Sequence, residues 1–184
     1  YHYFNKLERN WIAKTFGYVH WYRKHRFCGI CARPTEMAVN EYAITQPAAI
    51  LNSINKGLTK VLQQKGDSDS FVTDGMDIAL CAFNSSKMVL EYSGAYNPMW
   101  LIRNNEVIEY APDKFPVGAF YDSQVRMFNC HEIPVQKGDM VYIFSDGYAD
   151  QFGGPNGKKF KYKPLQKLLL ANHKKSCAEQ RLAL

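Results

Sequence analysis

Two carboxylates four residues apart, Asp146 and Asp150, follow directly on the apolar run Met140-Val-Tyr-Ile-Phe144. Carboxylates just past the end of a buried strand are held rigidly yet stay open to solvent. Hard cations such as Mg²⁺ or Mn²⁺ require oxygen ligands held in such a place. The i, i+4 spacing sets both on one face if the chain turns helical from Gly147 onward. The same residues suit a plainer use, with Ser145 or Asp146 capping a helix and Asp150 as a surface charge. A second acidic point, Thr73-Asp74-Gly75-Met76-Asp77, stands at the entrance to another apolar run. Its plain reading is a turn followed by a strand-end charge.

Other chemistry is harder to assemble. The stretch Gly153 to Lys159 is rich in Gly and Lys but is no phosphate loop. Phe152 occupies the first-glycine position, and no Ser or Thr follows the lysines. Its lysines could attract an acidic or phosphorylated partner. The five histidines are scattered without metal-site spacing. There is no nucleophile elbow and no readable Ser/His/Asp arrangement. Cys28-Gly-Ile-Cys31 has redox-motif spacing, but no strand–turn–helix pattern frames it and no second pair completes a zinc site. Cys81 and Cys130 lie in apolar, strand-like runs and read as buried free thiols. With an odd total of five cysteines, this points to a reducing, cytoplasmic setting.

The elements that must position these residues are legible in outline. A helix is expected from Thr45 as cap and Pro47 in the first turn, with Ile50, Leu51, Ile54, Leu58, Val61 and Leu62 on one face. It ends near Lys65-Gly66. Strands are expected at Met76–Phe83, Met88–Tyr92, Met99–Arg103, Val107–Tyr110, Met127–Ile133 and Met140–Phe144, with a tight hairpin at Asn104-Asn105. A Gly-rich loop follows Asp150, and Pro164 opens a helix bearing Leu165, Leu168 and Leu169. Helix, antiparallel meander and helix in that order indicate an α+β domain. A hydrophobic fraction of 46% over 184 residues supports one sizeable core and excludes disorder as the main state. No apolar run approaches the ~20 residues of a membrane-spanning helix.

The net charge of +6 is unevenly placed. Residues 1–33 hold seven basic residues against Glu8, residues 34–150 hold eight against fifteen acids, and residues 151–184 hold eight against Glu179. An acidic middle thus lies between two basic ends. Residues 34–184 are neutral as a whole, so the charge does not argue for a nucleic-acid partner.

Taken together, the motifs resemble a known family. In order they are Asp74-Gly-Met-Asp-Ile-Ala-Leu-Cys81, Leu90-Glu-Tyr-Ser-Gly-Ala-Tyr-Asn-Pro98, Phe115-Pro-Val-Gly118, Lys137-Gly-Asp139 and Phe144-Ser-Asp-Gly-Tyr-Ala-Asp-Gln-Phe-Gly-Gly154. This series, preceded by Val39 to Leu51, resembles the PPM-type metal-dependent serine/threonine phosphatases of the stage II sporulation protein E branch. The resemblance implies an α-β-β-α sandwich with two central antiparallel sheets, here incomplete at both ends. Residues 38–184 would form the phosphatase-like domain and residues 1–37 its irregular N-terminal part.

It also implies a hydrolase in which two Mn²⁺ or Mg²⁺ ions activate a water that attacks phosphoserine. Asp146 matches the metal-binding Asp of the family's Ser-Asp-Gly element, and Asp150 matches a later Asp associated with an additional metal. Asp74 sits near the position that shares that metal, with Asp77 as its alternative. The implied partner is a phosphoserine protein, such as an anti-anti-sigma-type regulator, with a sensor domain upstream. No substrate-binding residues can be assigned.

Two family elements are missing from their places. Tyr18 stands where an Asp is expected, and Cys28 to Met37 lacks the Asp-Cys-Thr-Gly-His-Gly element. The C-terminal Asp-Asp element is absent before Leu184. Of the core binuclear ligands only Asp146 is left, and one carboxylate cannot hold two metals against water. The expectation is therefore a phosphatase domain with little or no activity as written. Residues 1–37 would be a damaged, frameshifted or spliced segment. The alternative is an inactive pseudophosphatase serving as a regulatory protein-binding domain.

Overall fold

The computed structural model describes residues 19–20, 45–63, 75–118, 126–153, 155 and 157–184. Three sheets are built from antiparallel pairings. The first has the order β1 (Val19–His20), β2 (Asp77–Asn84), β3 (Val89–Ala95) and β6 (His131–Pro134). The second has β5 (Glu106–Tyr110), β4 (Met99–Arg103) and β7 (Met140–Ile143), and the third is a small hairpin of β8 (Phe152–Gly153) and β9 (Lys158–Lys159). The helices are α1 (Pro47–Gln63), α2 (Asp146–Ala149), α3 (Tyr162–Asn172) and α4 (Cys177–Ala183).

The period-two alternation of side chains along a strand assigns these elements to layers. In β2, Ile78 and Leu80 point outward into a core shared with Ala48, Leu51, Ile54 and Leu58 of α1. Ala79 of β2 and Tyr92 of β3 point the other way and meet Met99, Leu101 and Ile143 of the second sheet. On the far side of that sheet, Trp100, Ile102 and Tyr142 meet Leu165 and Leu169 of α3. The layers are therefore helix, sheet, sheet, helix, as the resemblance implied. Strands covered on both faces must be apolar throughout, which is why Met99 to Ile102 form an unbroken hydrophobic run and are all buried. Leu51, Ile54 and Leu58 are almost wholly out of solvent, and each such burial stabilises by about 1.5–3 kcal/mol.

The turn at Asn104 and Asn105 has φ of 51° and 64°. Both positions require the left-handed region, which Asn tolerates better than other non-glycine residues, and this fixes the β4–β5 register. The family-like motifs bind one another. Met76 and Val117 exchange backbone hydrogen bonds of 2.8 and 2.9 Å. A Cβ on Gly75 would stand 2.6 Å from the Pro116 ring, so only glycine permits that approach. Helix α1 fastens the same region from outside. Asn55 accepts from the Gly118 N–H and donates to the Arg126 carbonyl, and Asn52 accepts from the Phe128 N–H.

Some expectations change. The strand expected at Met127–Ile133 begins only at His131. The N–H groups of Phe128 and Asn129 are taken by the side chains of Asn52 and Asp113 instead of a ladder partner. β3 extends to Ala95, beyond Tyr92. The Gly-rich loop carries the β8–β9 hairpin. Helix α3 starts at Tyr162, which places Pro164 inside its first turn, where a missing N–H is harmless. Helix α4 opens on a reciprocal capping box between Ser176 and Glu179. Cys81 and Cys130 are free thiols, but of intermediate exposure and not fully buried. Asp74, Tyr18 and residues 21–44, with the Cys28–Cys31 pair, lie outside the described residues.

Candidate functional site

β7 is buried at its exit end by Tyr142 and Ile143, and the chain leaves it through Phe144 and Ser145 into the single turn of α2. Phe144 anchors that exit, its ring 4.3 Å from that of Trp100. Ser145 stands at the N-cap position with extended backbone, yet its hydroxyl makes no capping hydrogen bond. Capping therefore does not explain this serine. The Asp150 N–H donates to the Asp146 carbonyl at 2.8 Å, closing one helical turn. Residues 146 and 150 thus stand one helical turn apart.

The following hairpin folds back onto this turn. The Lys161 N–H donates to the Ala149 carbonyl at 2.6 Å, and the Phe160 N–H donates to the Gln151 carbonyl at 2.9 Å. The Phe160 ring packs edge-on against Tyr148, whose hydroxyl donates to the Leu184 carbonyl. The strand pairing sets Lys159 opposite Phe152, and its ammonium reaches the Asp150 carboxylate at 2.8 Å. The Tyr162 ring meets Trp100 edge-on and Phe144 at a tilt, each with centroids 6.2 Å apart. Burial, then the carboxylates of Asp146, Asp150 and Glu109, push its phenol above the ordinary tyrosine range.

Asp146 is half-buried and Asp150 is exposed. Asp77 is the first residue of β2 and pairs in register with His20 of β1. Lys159 and Tyr162 join the site without having been singled out for it. The i, i+9 separation of Asp150 and Lys159 becomes contact only when the hairpin closes. Among the described residues, no group of three or more His, Cys, Asp or Glu side chains could hold a metal ion. Asp150 already has an ammonium as counter-ion. The described donors therefore do not by themselves fit a two-metal centre, and no reaction step is derived through one.

Residues 31–183 match the sequence profile described as stage II sporulation protein E (SpoIIE). The chain belongs to that family. Its fold is also that of a solved structure, the SiaA-PP2C domain of Pseudomonas aeruginosa. The two superpose with a TM-score of 0.72 at 21% identity, over 84% of this chain and 58% of that one. A second structure, the phosphatase domain of the cell fate determinant SpoIIE from Bacillus subtilis, matches with a TM-score of 0.34 at 13% identity. That match covers 70% of this chain and 51% of that one. The chain thus spans 58% and 51% of these two structures. No curated protein matches the chain. Among the described residues, no helix is long and apolar enough to cross a membrane.

Proposed function

We propose that the domain derives from a metal-dependent serine/threonine protein phosphatase, and that this polypeptide as written hydrolyses phosphoserine little or not at all. The observation that carries the reading is the place of Asp146. It lies directly past a buried strand with Asp150 one turn on, where carboxylates can meet Mn²⁺ or Mg²⁺. The sequence supplies no Asp at Tyr18 or between Cys28 and Met37 to complete the set. A phosphoserine protein is the proposed partner, an anti-anti-sigma-type regulator being the kind expected, with a sensor domain coupled to it. The proposed setting is the reducing cytoplasm, in keeping with free thiols at Cys81, Cys130 and Cys177.

The test is Mn²⁺-dependent hydrolysis of a phosphoserine peptide and of a chromogenic aryl phosphate. Rates at background are expected. Easily measured turnover that disappears in Asp146→Asn would refute the inactive state while upholding the enzyme class. The second reading, a regulatory binding domain without catalysis, is favoured by the Lys159–Asp150 pair, in which an ammonium already neutralises one of the two carboxylates. Calorimetric titration with Mn²⁺ separates the two. Tight stoichiometric binding lost in Asp146→Asn favours the enzyme, and its lack favours the binding domain.

A further inference from the structure

Helices α3 and α4 cover the same face of the second sheet. Leu165 and Leu169 of α3 pack with Trp100 and Tyr142, and Leu184 at the end of α4 joins them. Gln180 of α4 is buried and accepts from the Tyr142 hydroxyl at 2.9 Å. The other sides of both helices therefore look outward on one side of the molecule. Two residues along a helix turn through about 200°. Lys163 and Lys167, each two positions before one of the packed leucines, thus point away from the sheet, and so does Leu182, two beyond Gln180. All three are exposed, Leu182 to 88%. From 162 to 184 the chain has five basic residues, Lys163, Lys167, Lys174, Lys175 and Arg181, all exposed, against Glu179 alone. That carboxylate is taken up by the Ser176 N–H and hydroxyl in the capping box. Residues 34–150, with eight basic residues and fifteen acids, carry the opposite sign.

We propose that the outer face of α3 and α4 docks on an anionic phospholipid surface, with the basic side chains against the headgroups and Leu182 entering the acyl boundary. Basic residues with an outward apolar side chain on surface helices suit such an interface. The separation of charge orients the chain, basic face toward the lipid and acidic body away from it. Four of the five cations are lysines, compact charges that suit smeared negative charge, whereas a single phosphate is gripped best by the paired donors of Arg. A helical backbone bonds to itself and offers an acidic peptide no strand edge to join. The contact is peripheral and needs no spanning helix.

The experiment is co-sedimentation of the full chain with vesicles of equal parts phosphatidylserine and phosphatidylcholine, and with vesicles of phosphatidylcholine alone. Pelleting with the mixed vesicles only is expected, and it should weaken as salt is added. Lys163→Glu/Lys167→Glu should bind about tenfold more weakly, and Leu182→Ser several-fold more weakly. Lys56→Glu/Lys137→Glu makes the same change in net charge at exposed positions off this face, on α1 and in the β6–β7 turn, and should bind like the wild type. Thermal melts should be unchanged because these side chains are exposed. If the Lys163/Lys167 variant melts early, Leu182→Ser carries the comparison. Undetectable binding, equal pelleting with phosphatidylcholine alone, or an equal loss in the two double-lysine variants overturns the proposal. So does tighter binding of a single-stranded oligonucleotide or an acidic peptide than of the mixed vesicles at the same salt.

Discussion

Two aspartates flank strand β7 along the chain, Asp139 just before it and Asp150 beyond α2, and they could hardly be used more differently. At its entry, Asp139 takes a forked pair of hydrogen bonds from Arg103, 2.9 Å from Nε and 2.6 Å from Nη2, and a third from the Gln136 N–H. Arg103 also donates to the Pro134 carbonyl, so one guanidinium ties β4 of the second sheet to β6 of the first. The Asp139 side chain is only 2% exposed. At the exit, Asp150 meets Lys159 at 2.8 Å, but the two side chains are 48% and 44% exposed. A buried, fully bonded fork acts as a strut, because removing one partner leaves the other charge stranded. An exposed single contact competes with water and can be exchanged for another ion. The motif Lys137-Gly-Asp139 is structural, whereas the Asp150–Lys159 pair stays at the surface.

The largest test of this contrast is a pair of alanine variants followed by urea unfolding. Asp139→Ala should cost about 3–5 kcal/mol, whereas Asp150→Ala should cost about 0–1 kcal/mol. Similar losses at both positions would break the comparison. A second pair probes packing near each region. A Cβ on Gly94 would stand 2.2 Å from the Tyr92 hydroxyl oxygen and 2.6 Å from the Asn97 carbonyl. It would disrupt the 2.6 Å hydrogen bond that joins those two groups. Nothing lies within 4 Å of a Cβ on Gly153. Gly94→Ala should lose about 1–3 kcal/mol to overpacking, and Gly153→Ala should melt like the wild type.

Acid sharpens the same comparison. Burial raises the Asp139 carboxyl, but the Arg103 and Gln136 hydrogen bonds and the Arg103 charge outweigh it and hold the group below its ordinary value. A carboxylate with a lowered pKa in the folded state contributes stability above its unfolded value and loses it as pH falls through the folded one. The wild type should therefore lose stability in acid more steeply than Asp139→Asn, when urea midpoints are followed downward from neutral pH. A parallel pH dependence in the two proteins would argue against the strut. The smallest expected effect is Lys159→Ala, within about 0.5 kcal/mol in thermal or urea melts and shrinking as salt is added. A larger loss would make the exit pair structural as well.

Much of the scaffold was readable in advance because its signals are local. The Met99–Arg103 strand is found at its expected bounds, since an apolar run closed by Asn104-Asn105 can end only in a left-handed turn. α1 follows from Pro47 and a 3.6-residue apolar stripe. The strand expected from Met127 failed because period and hydrophobicity cannot tell which partner will claim an N–H group. The side chains of Asn52 and Asp113, 76 and 16 residues away, claimed them. α4 is marked by Ser176 and Glu179, a capping signal that is present in the sequence.

The site divides in the same way. The sequence by itself determined that Asp146 and Asp150 leave an apolar strand one helical turn apart, because strand burial and helical spacing are properties of neighbouring residues. It also determined the family, through motifs whose order survives in one dimension. Only the tertiary structure decided that Lys159 returns to Asp150, that Tyr162 packs on Trp100 and Phe144, and that Asp139 belongs to Arg103. These groups meet through hairpin closure and sheet pairing, and no spacing rule encodes such contacts until the backbone has settled which strands lie side by side.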